Sequence, residues 1–304
     1  MIEFKEFPTK KELIAPVIYR ETPHQTTNNG VVLSNEITNE LSNFLALFNK
    51  FLKVQHDPYF RIDAYFDINT GMLYILEINA SFVDGWGTAL NLARASEIQV
   101  DQDKIKFPCQ FATTNDDYLP ELELLQEELE FVGHEKPEIM GWNNFTKYNQ
   151  DTYLYGRNLF DQGLIFPKDG IRLDNKLHLG LFSTVWDGRL VKIPTHYMST
   201  CTAWEDIPKT TVLKFCDKGS TESTHAGSSV IFGKPEGKAR FLKRCYNDVL
   251  LLAQDHINAE KFNDNNCQLV ILSIGANPIT GYVQYSSKML INDNSTHGPL
   301  QLGN

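Results

Sequence analysis

No Cys-x-x-Cys pair occurs in this chain, and its five cysteines, Cys109, Cys201, Cys216, Cys245 and Cys267, are scattered. That pattern suggests neither a zinc site nor a disulfide framework. No apolar run reaches the ~18 residues that cross a bilayer. The start, MIEFKEFPTKKEL, lacks the apolar stretch of a signal peptide. A reducing cytoplasm is the expected compartment, with no membrane partner. Positive charge is scarce: 28 Lys and Arg stand against 38 Asp and Glu, a net charge of −10 at pH 7. Non-specific nucleic-acid binding, which needs a basic face, is not expected. An anionic ligand held by a few local cations remains compatible with that balance. The eight histidines show no metal-ligand spacing, and there is no internal repeat or low-complexity tract.

What is present is globular: 304 residues, 42% hydrophobic and 22% charged, enough for two or three packed lobes. Residues 36–54 place apolar side chains at helical spacing. YFRIDAYFD and MLYILEINA read as strands joined by the turn INTG, and GTALNLARAS as a short helix. LPELELLQEELEFVG predicts a helix ended by Gly133, and DTYLYGRNLFDQG another ended by Gly163. KLHLGLFSTVWDGRLVKI reads as two strands around a turn at Asp187 and Gly188. TTVLKF and SSVIFGK read as strands flanking the loop CDKGSTESTHAG, followed by a helix over about 237–256. CQLVILSI and GYVQYSSKMLI read as strands. This mixture, with several antiparallel pairs, predicts an α+β architecture.

The pair RIDAYFD and MLYILEIN carries unusual polarity. Glu77 and Asn79 share one strand face, as do Arg61, Asp63 and Tyr65. A hairpin turning about Thr70 sets Asp63 opposite Glu77 and Arg61 opposite Asn79. Opposed carboxylates destabilise a sheet, so something must neutralise them. Mg²⁺ would do so with one or two carboxylates plus substrate phosphates, Asn79 adding a neutral oxygen and Arg61 a fixed charge beside the phosphates. On that reading Glu77→Gln should raise the melting temperature of the metal-free protein. A solvated edge hairpin explains the same residues equally well, and one residue of slip would remove the pairing.

RIDAYFDINTGMLYILEINAS resembles the metal-binding hairpin of the ATP-grasp ligases. Its nucleotide-loop candidate, VLKFCDKGSTESTHAGSSVIF, comes about 150 residues later. That permuted order resembles the glutathionylspermidine synthetases and, more distantly, eukaryotic-type glutathione synthetases. Arg61, Asp63, Glu77 and Asn79 match position by position; after Asn79 the family continues with a threonine-proline segment where this chain has ASFVDGWGTAL. The resemblance implies an α+β, permuted ATP-grasp fold: a metal-binding half at 1–105, a small α/β middle lobe at 106–200, and a nucleotide-binding half at 201–304. It implies ATP and Mg²⁺, with Asp63, Glu77 and Asn79 on the metal and Arg61 catalytic.

Lys214 ends a strand before a loop whose Gly219 and Gly227 permit unusual backbone angles, so that its N–H groups can cradle phosphates. Ser220, Thr221, Ser223, Thr224 and Ser228 add hydroxyl donors, while Glu222 is unfavourable there. A plain surface loop is the alternative for these residues taken alone. Gln284, in GYVQYSSKML, is a candidate adenine contact or a member of an amphipathic strand. The resemblance implies a second nucleotide lysine, with Lys192 and Lys209 both open. Similar enzymes continue further past that strand than this chain does. The implied reaction joins a small-molecule carboxylate to an amine through an acyl phosphate. Two alternatives are a nucleotide-binding protein or phosphotransferase that does not ligate, and a non-catalytic interaction domain.

Overall fold

Residues alternate in the strand Tyr59–Asp67: Phe60, Ile62, Ala64 and Phe66 are buried, and the polar residues between them are partly exposed. Its partner is Met72–Asn79. The computed structural model describes residues 1–15, 18–19, 22–23, 25–80, 83–107, 110–113, 118–129, 137–139, 152–155, 170–216, 230–289, 291 and 295–303. Within them the hairpin lies in a ten-stranded mixed sheet. Its main order runs Ile2–Glu6, Asn29–Leu33, Thr296–Gln301, Asn277–Ser286, Asn265–Ile274, Tyr59–Asp67, Met72–Asn79, Val191–Lys192. Helix Asn35–Phe51 covers one face with Ile37, Leu41, Phe44, Leu45 and Phe48. Helix Trp86–Ala95 covers the other, with Trp86, Ala89 and Leu92 against Tyr59, Val270, Leu272 and Tyr282. The architecture is α+β.

A four-stranded antiparallel sheet stands apart, in the order His196–Tyr197, Leu251–Gln254, Val212–Phe215, Val230–Phe232. Helix Ala239–Asn247 packs on it through Leu242, Cys245 and Tyr246. A small parallel sheet joins Thr152–Tyr155, Gln110–Thr113 and Glu138–Ile139. Residues 201–304 therefore serve two sheets: Val212–Phe215, Val230–Phe232 and Leu251–Gln254 join His196–Tyr197 in the four-stranded one, and the strands from Asn265 to Gln301 complete the large one.

Three sequence-based expectations change. KLHLGLF is a helix, Lys176–Phe182, because Asn175 accepts a hydrogen bond from the Leu177 N–H (2.9 Å) and caps it, and only Val191–Lys192 of the following segment is a strand. The expected helix over 237–256 ends at Asn247; Val249 takes φ = 61°, and Leu251–Gln254 is a strand. Thr152–Tyr155 is a strand, not the start of a helix, and 156–169 lie outside the described residues.

Gly87 sets the distance between Trp86–Ala95 and the helix Leu119–Glu128. A Cβ there would lie 2.6 Å from the Glu121 carbonyl oxygen and 2.7 Å from the Leu125 nitrogen, both main chain and unable to yield cheaply. Gly87→Ala is expected to cost about 1–3 kcal/mol, as overpacking does. Urea unfolding checks it, and an unchanged midpoint would mean the helices stand further apart.

Candidate functional site

Hairpin register brings the polar residues together. Arg61 pairs with Asn79, and Asp63 with Glu77. Counting outward from Thr70 gives these pairs only because two departures cancel. Near the turn Asp67 pairs with Met72, one residue tighter than a turn centred on Thr70 implies. Between Ile75 and Glu77 the strand bulges at Leu76, and that extra residue restores the count. Without the bulge Leu76, not Glu77, would oppose Asp63. The turn is fixed by the Asp67 carboxylate, which accepts from the Asn69 and Thr70 N–H groups (2.8 and 3.2 Å), and by Gly71 at φ = 69°.

Each carboxylate of the opposed pair is already held by a cation. Arg61 Nε donates to Asp63 Oδ1 at 3.0 Å, and its Nη1 donates to Asp84. Asn79 Nδ2 donates to Asp63 Oδ2 at 3.3 Å. Lys176, the first residue of its helix, places Nζ 3.5 Å from Glu77 Oε1. The side chains of Lys176 and Glu77 are only 5% and 16% exposed. No motif marks Lys176, since KLHLGLF fits a strand as well as a helix; the Asn175 cap before it is the signal that distinguishes the two.

Lys214 arrives from the four-stranded sheet. Its Nζ donates to the carbonyl of Leu76, the bulged residue, at 2.8 Å. Gln254 Nε2 donates to the same oxygen at 3.3 Å and lies 3.1 Å from His196 Nε2. Burial pushes the Lys214 ammonium down to about 8, nearby Lys176 adds to that, and Glu77 and Asp63 oppose it. His196 is pushed down to about 3 by burial and then by the Lys214 charge, so its imidazole stays neutral at pH 7. A cavity lined by Glu77, Lys176, Lys214, His196, Leu173 and Leu252 opens between hairpin and lysines.

Beyond Arg61 a second polar group closes the site. Gly85, at φ = 90°, precedes helix Trp86–Ala95, and a Cβ there would lie 2.6 Å from the Tyr282 hydroxyl. The buried Glu121 carboxylate caps that helix, accepting from the Thr88 N–H (3.1 and 3.2 Å) and hydroxyl (2.6 Å). Burial raises its carboxyl to about 7, against those hydrogen bonds. Glu121 and Tyr282 carry no sequence motif, and Asp84 falls in FVDGWG, which the sequence offers equally as a helix start facing an anion or as a simple turn.

The structure thus brings together Arg61, Asp63, Glu77, Asn79 and Lys214. It does not bring Gln284 to them: Gln284 is buried within the large sheet, 3.3 Å from His297 Nε2, on a strand separated from the hairpin by Asn265–Ile274. Lys209 is exposed and Lys192 lies on the short edge strand beside Tyr74. Gly219, Ser220, Thr221, Ser223, Thr224, Gly227 and Ser228 lie outside the described residues. Among the described residues no group of three or more His, Cys, Asp and Glu forms a metal cluster. Two carboxylates and a carboxamide are nevertheless an all-oxygen donor set of the size Mg²⁺ takes from protein when phosphates supply the rest. No described helix is long and apolar enough to cross a membrane.

No family profile matches the sequence, and no curated protein matches it. Among solved structures, a provisionally named gamma-glutamylcysteine synthetase from Methylobacillus flagellatus KT aligns at 12% identity with a TM-score of 0.44, covering 98% of this chain and 88% of that chain. A TM-score of that size identifies neither fold nor reaction.

Proposed function

We propose that the protein is an ATP-dependent carboxylate–amine ligase with a permuted ATP-grasp arrangement, similar in order to the glutathionylspermidine synthetases. The observation that carries this reading is a convergence. Two buried lysines, Lys214 from the four-stranded sheet and Lys176 from a helix, meet the opposed Asp63–Glu77 pair of the large sheet. Buried lysines close enough to depress one of them are poised for an anion of more than one charge. The opposed carboxylates, held by Arg61 and Lys176 in the empty protein, can exchange the lysine contact for a divalent cation. A nucleotide triphosphate with its divalent ion satisfies both.

In this reading Asp63, Glu77 and Asn79 hold Mg²⁺, which when bound neutralises charge on the transferring phosphoryl group. Lys214 and Lys176 bind the phosphates, a task the sequence also assigns to the 218–228 loop. Arg61, fixed by Asp63 and Asp84, faces the charge that develops during transfer. The substrate carboxylate attacks the γ-phosphorus, the bond to the ADP oxygen breaks, and an acyl phosphate forms. An amine then attacks the acyl carbon, loses a proton and displaces phosphate, leaving an amide. Excluding water protects the intermediate from hydrolysis.

Two expected results follow. ATP should bind weakly without a divalent cation, because its phosphates would then face Asp63 and Glu77 directly. Calorimetry in Mg²⁺ and in excess chelator checks this, and equal affinities would count against the metal site. With ATP, Mg²⁺ and a panel of carboxylic acids, hydroxylamine should trap the acyl phosphate as a hydroxamate. ADP release with no hydroxamate from any acid would instead indicate nucleotide hydrolysis or transfer to another acceptor.

A further inference from the structure

Lys176 and Arg61 hold the two carboxylates of the proposed metal site unequally. Arg61 is pinned twice, by Asp63 through Nε and by Asp84 through Nη1. The Lys176 ammonium has one acidic partner among the described residues, Glu77, at 3.5 Å. Its main chain is anchored, since the Lys176 N–H donates to the Cys216 carbonyl at 2.9 Å, so the movable part is the side chain alone. Lys176 also lies close enough to Lys214 to depress it. Like charges so placed draw toward an anion brought between them.

We infer that Lys176 is a counter-cation that occupies the Glu77 end of the metal site in the empty protein and moves onto the phosphates when nucleotide enters. The metal and Lys176 compete for one carboxylate, so the site refuses a divalent ion alone and accepts it with nucleotide. The lysine guards Glu77 against metal binding without phosphate, then becomes a second cation on the phosphates. Lys176 is thereby a phosphate-binding residue whose effect on metal and on nucleotide has opposite sign. This inference rests on the nucleotide–metal reading of the site.

Calorimetric titration of Mn²⁺ without nucleotide tests it, on the parent protein and on Lys176→Gln and Lys176→Met. Lys176→Gln keeps a hydrogen-bonding group beside Glu77 and guards against loss of the fold, which circular dichroism checks. Both variants should bind Mn²⁺ alone about tenfold or more tighter than the parent, since the cation would no longer have to displace the Lys176 ammonium from Glu77. The same variants should bind ADP with Mn²⁺ about tenfold or more weaker, for want of one charge-assisted contact. Unchanged Mn²⁺ affinity in folded Lys176→Gln, with Mn²⁺·ADP binding intact in the parent, overturns the inference and leaves the nucleotide site standing. Absence of Mn²⁺·ADP binding in the parent overturns both.

Discussion

Glu77→Gln is expected to lower the melting temperature of the metal-free protein and to cut ATP turnover more than about a hundredfold, as loss of a direct metal ligand outweighs loss of a supporting one. The hairpin alone argues the opposite sign for stability, because two facing carboxylates repel. The neighbours reverse it. Lys176 lies 3.5 Å from Glu77 and is nearly fully buried, and the Glu77 charge also favours the buried Lys214 ammonium. Removing that charge relieves one repulsion with Asp63, which Arg61 already offsets at 3.0 Å, and leaves two buried lysines short of a counter-charge. Breaking a fully buried pair costs ~3–5 kcal/mol; with Glu77 partly exposed, about 2 kcal/mol is expected here. Differential scanning calorimetry and ADP release read the two effects. A raised melting temperature would mean that Lys176 does not pair with Glu77.

The second large effect belongs to Lys214. Lys214→Met should weaken nucleotide binding by about one to two orders of magnitude, the usual loss for a charged hydrogen bond. It should also stabilise the empty protein. The ammonium's ordinary value of 10.5 falls to about 8 on burial, so the folded protein holds that proton less tightly than the unfolded chain does. The cost of the buried charge is complete below about pH 8, shrinks as pH rises, and is gone above 10.5. Lys214→Met removes this cost but leaves the Leu76 carbonyl to Gln254 alone, so a net gain of about 1 kcal/mol at pH 7 is expected. Nucleotide affinity of the parent should fall as pH rises through about 8, because the ammonium that meets phosphate is lost. Denaturant unfolding of both proteins at pH 7 and 10 checks the stability sign, and calorimetry across that range checks the affinity. A Lys214→Met protein that binds ATP like the parent would remove this lysine from the site.

The hairpin was legible because its strand alternation is strict, and INTG between two apolar runs leaves little choice of turn. The bulge at Leu76 was not legible. A bulge is one extra residue, and MLYILEIN reads as an ordinary strand with or without it. Its consequence is large, since it turns Glu77 toward Asp63 and frames the Leu76 carbonyl that Lys214 reaches. Lys176 was hidden for another reason. KLHLGLF is short and apolar, so helix and strand periods both fit, and the Asn175 cap decides between them. Asp84, Glu121 and Tyr282 converge from a turn, a helix and a distant strand, and no spacing in one chain encodes such a meeting. The α+β character was plain from its elements. That the last strands cross to the large sheet depends on pairing between residues some 200 apart, which local pattern does not carry.

Transfer of a carboxylate oxygen to phosphate tests the ligase reading most directly. The protein is incubated with ATP, Mg²⁺, and the carboxylic acid that supports hydroxamate formation, its carboxylate labelled with ¹⁸O, together with an amine. The acyl-phosphate route passes one labelled oxygen per turnover to inorganic phosphate, and mass spectrometry of the released phosphate should show it. Asp63→Asn and Glu77→Gln should abolish the label. Inorganic phosphate released without ¹⁸O, from protein that binds Mg²⁺·ATP, would contradict phosphoryl transfer to a carboxylate.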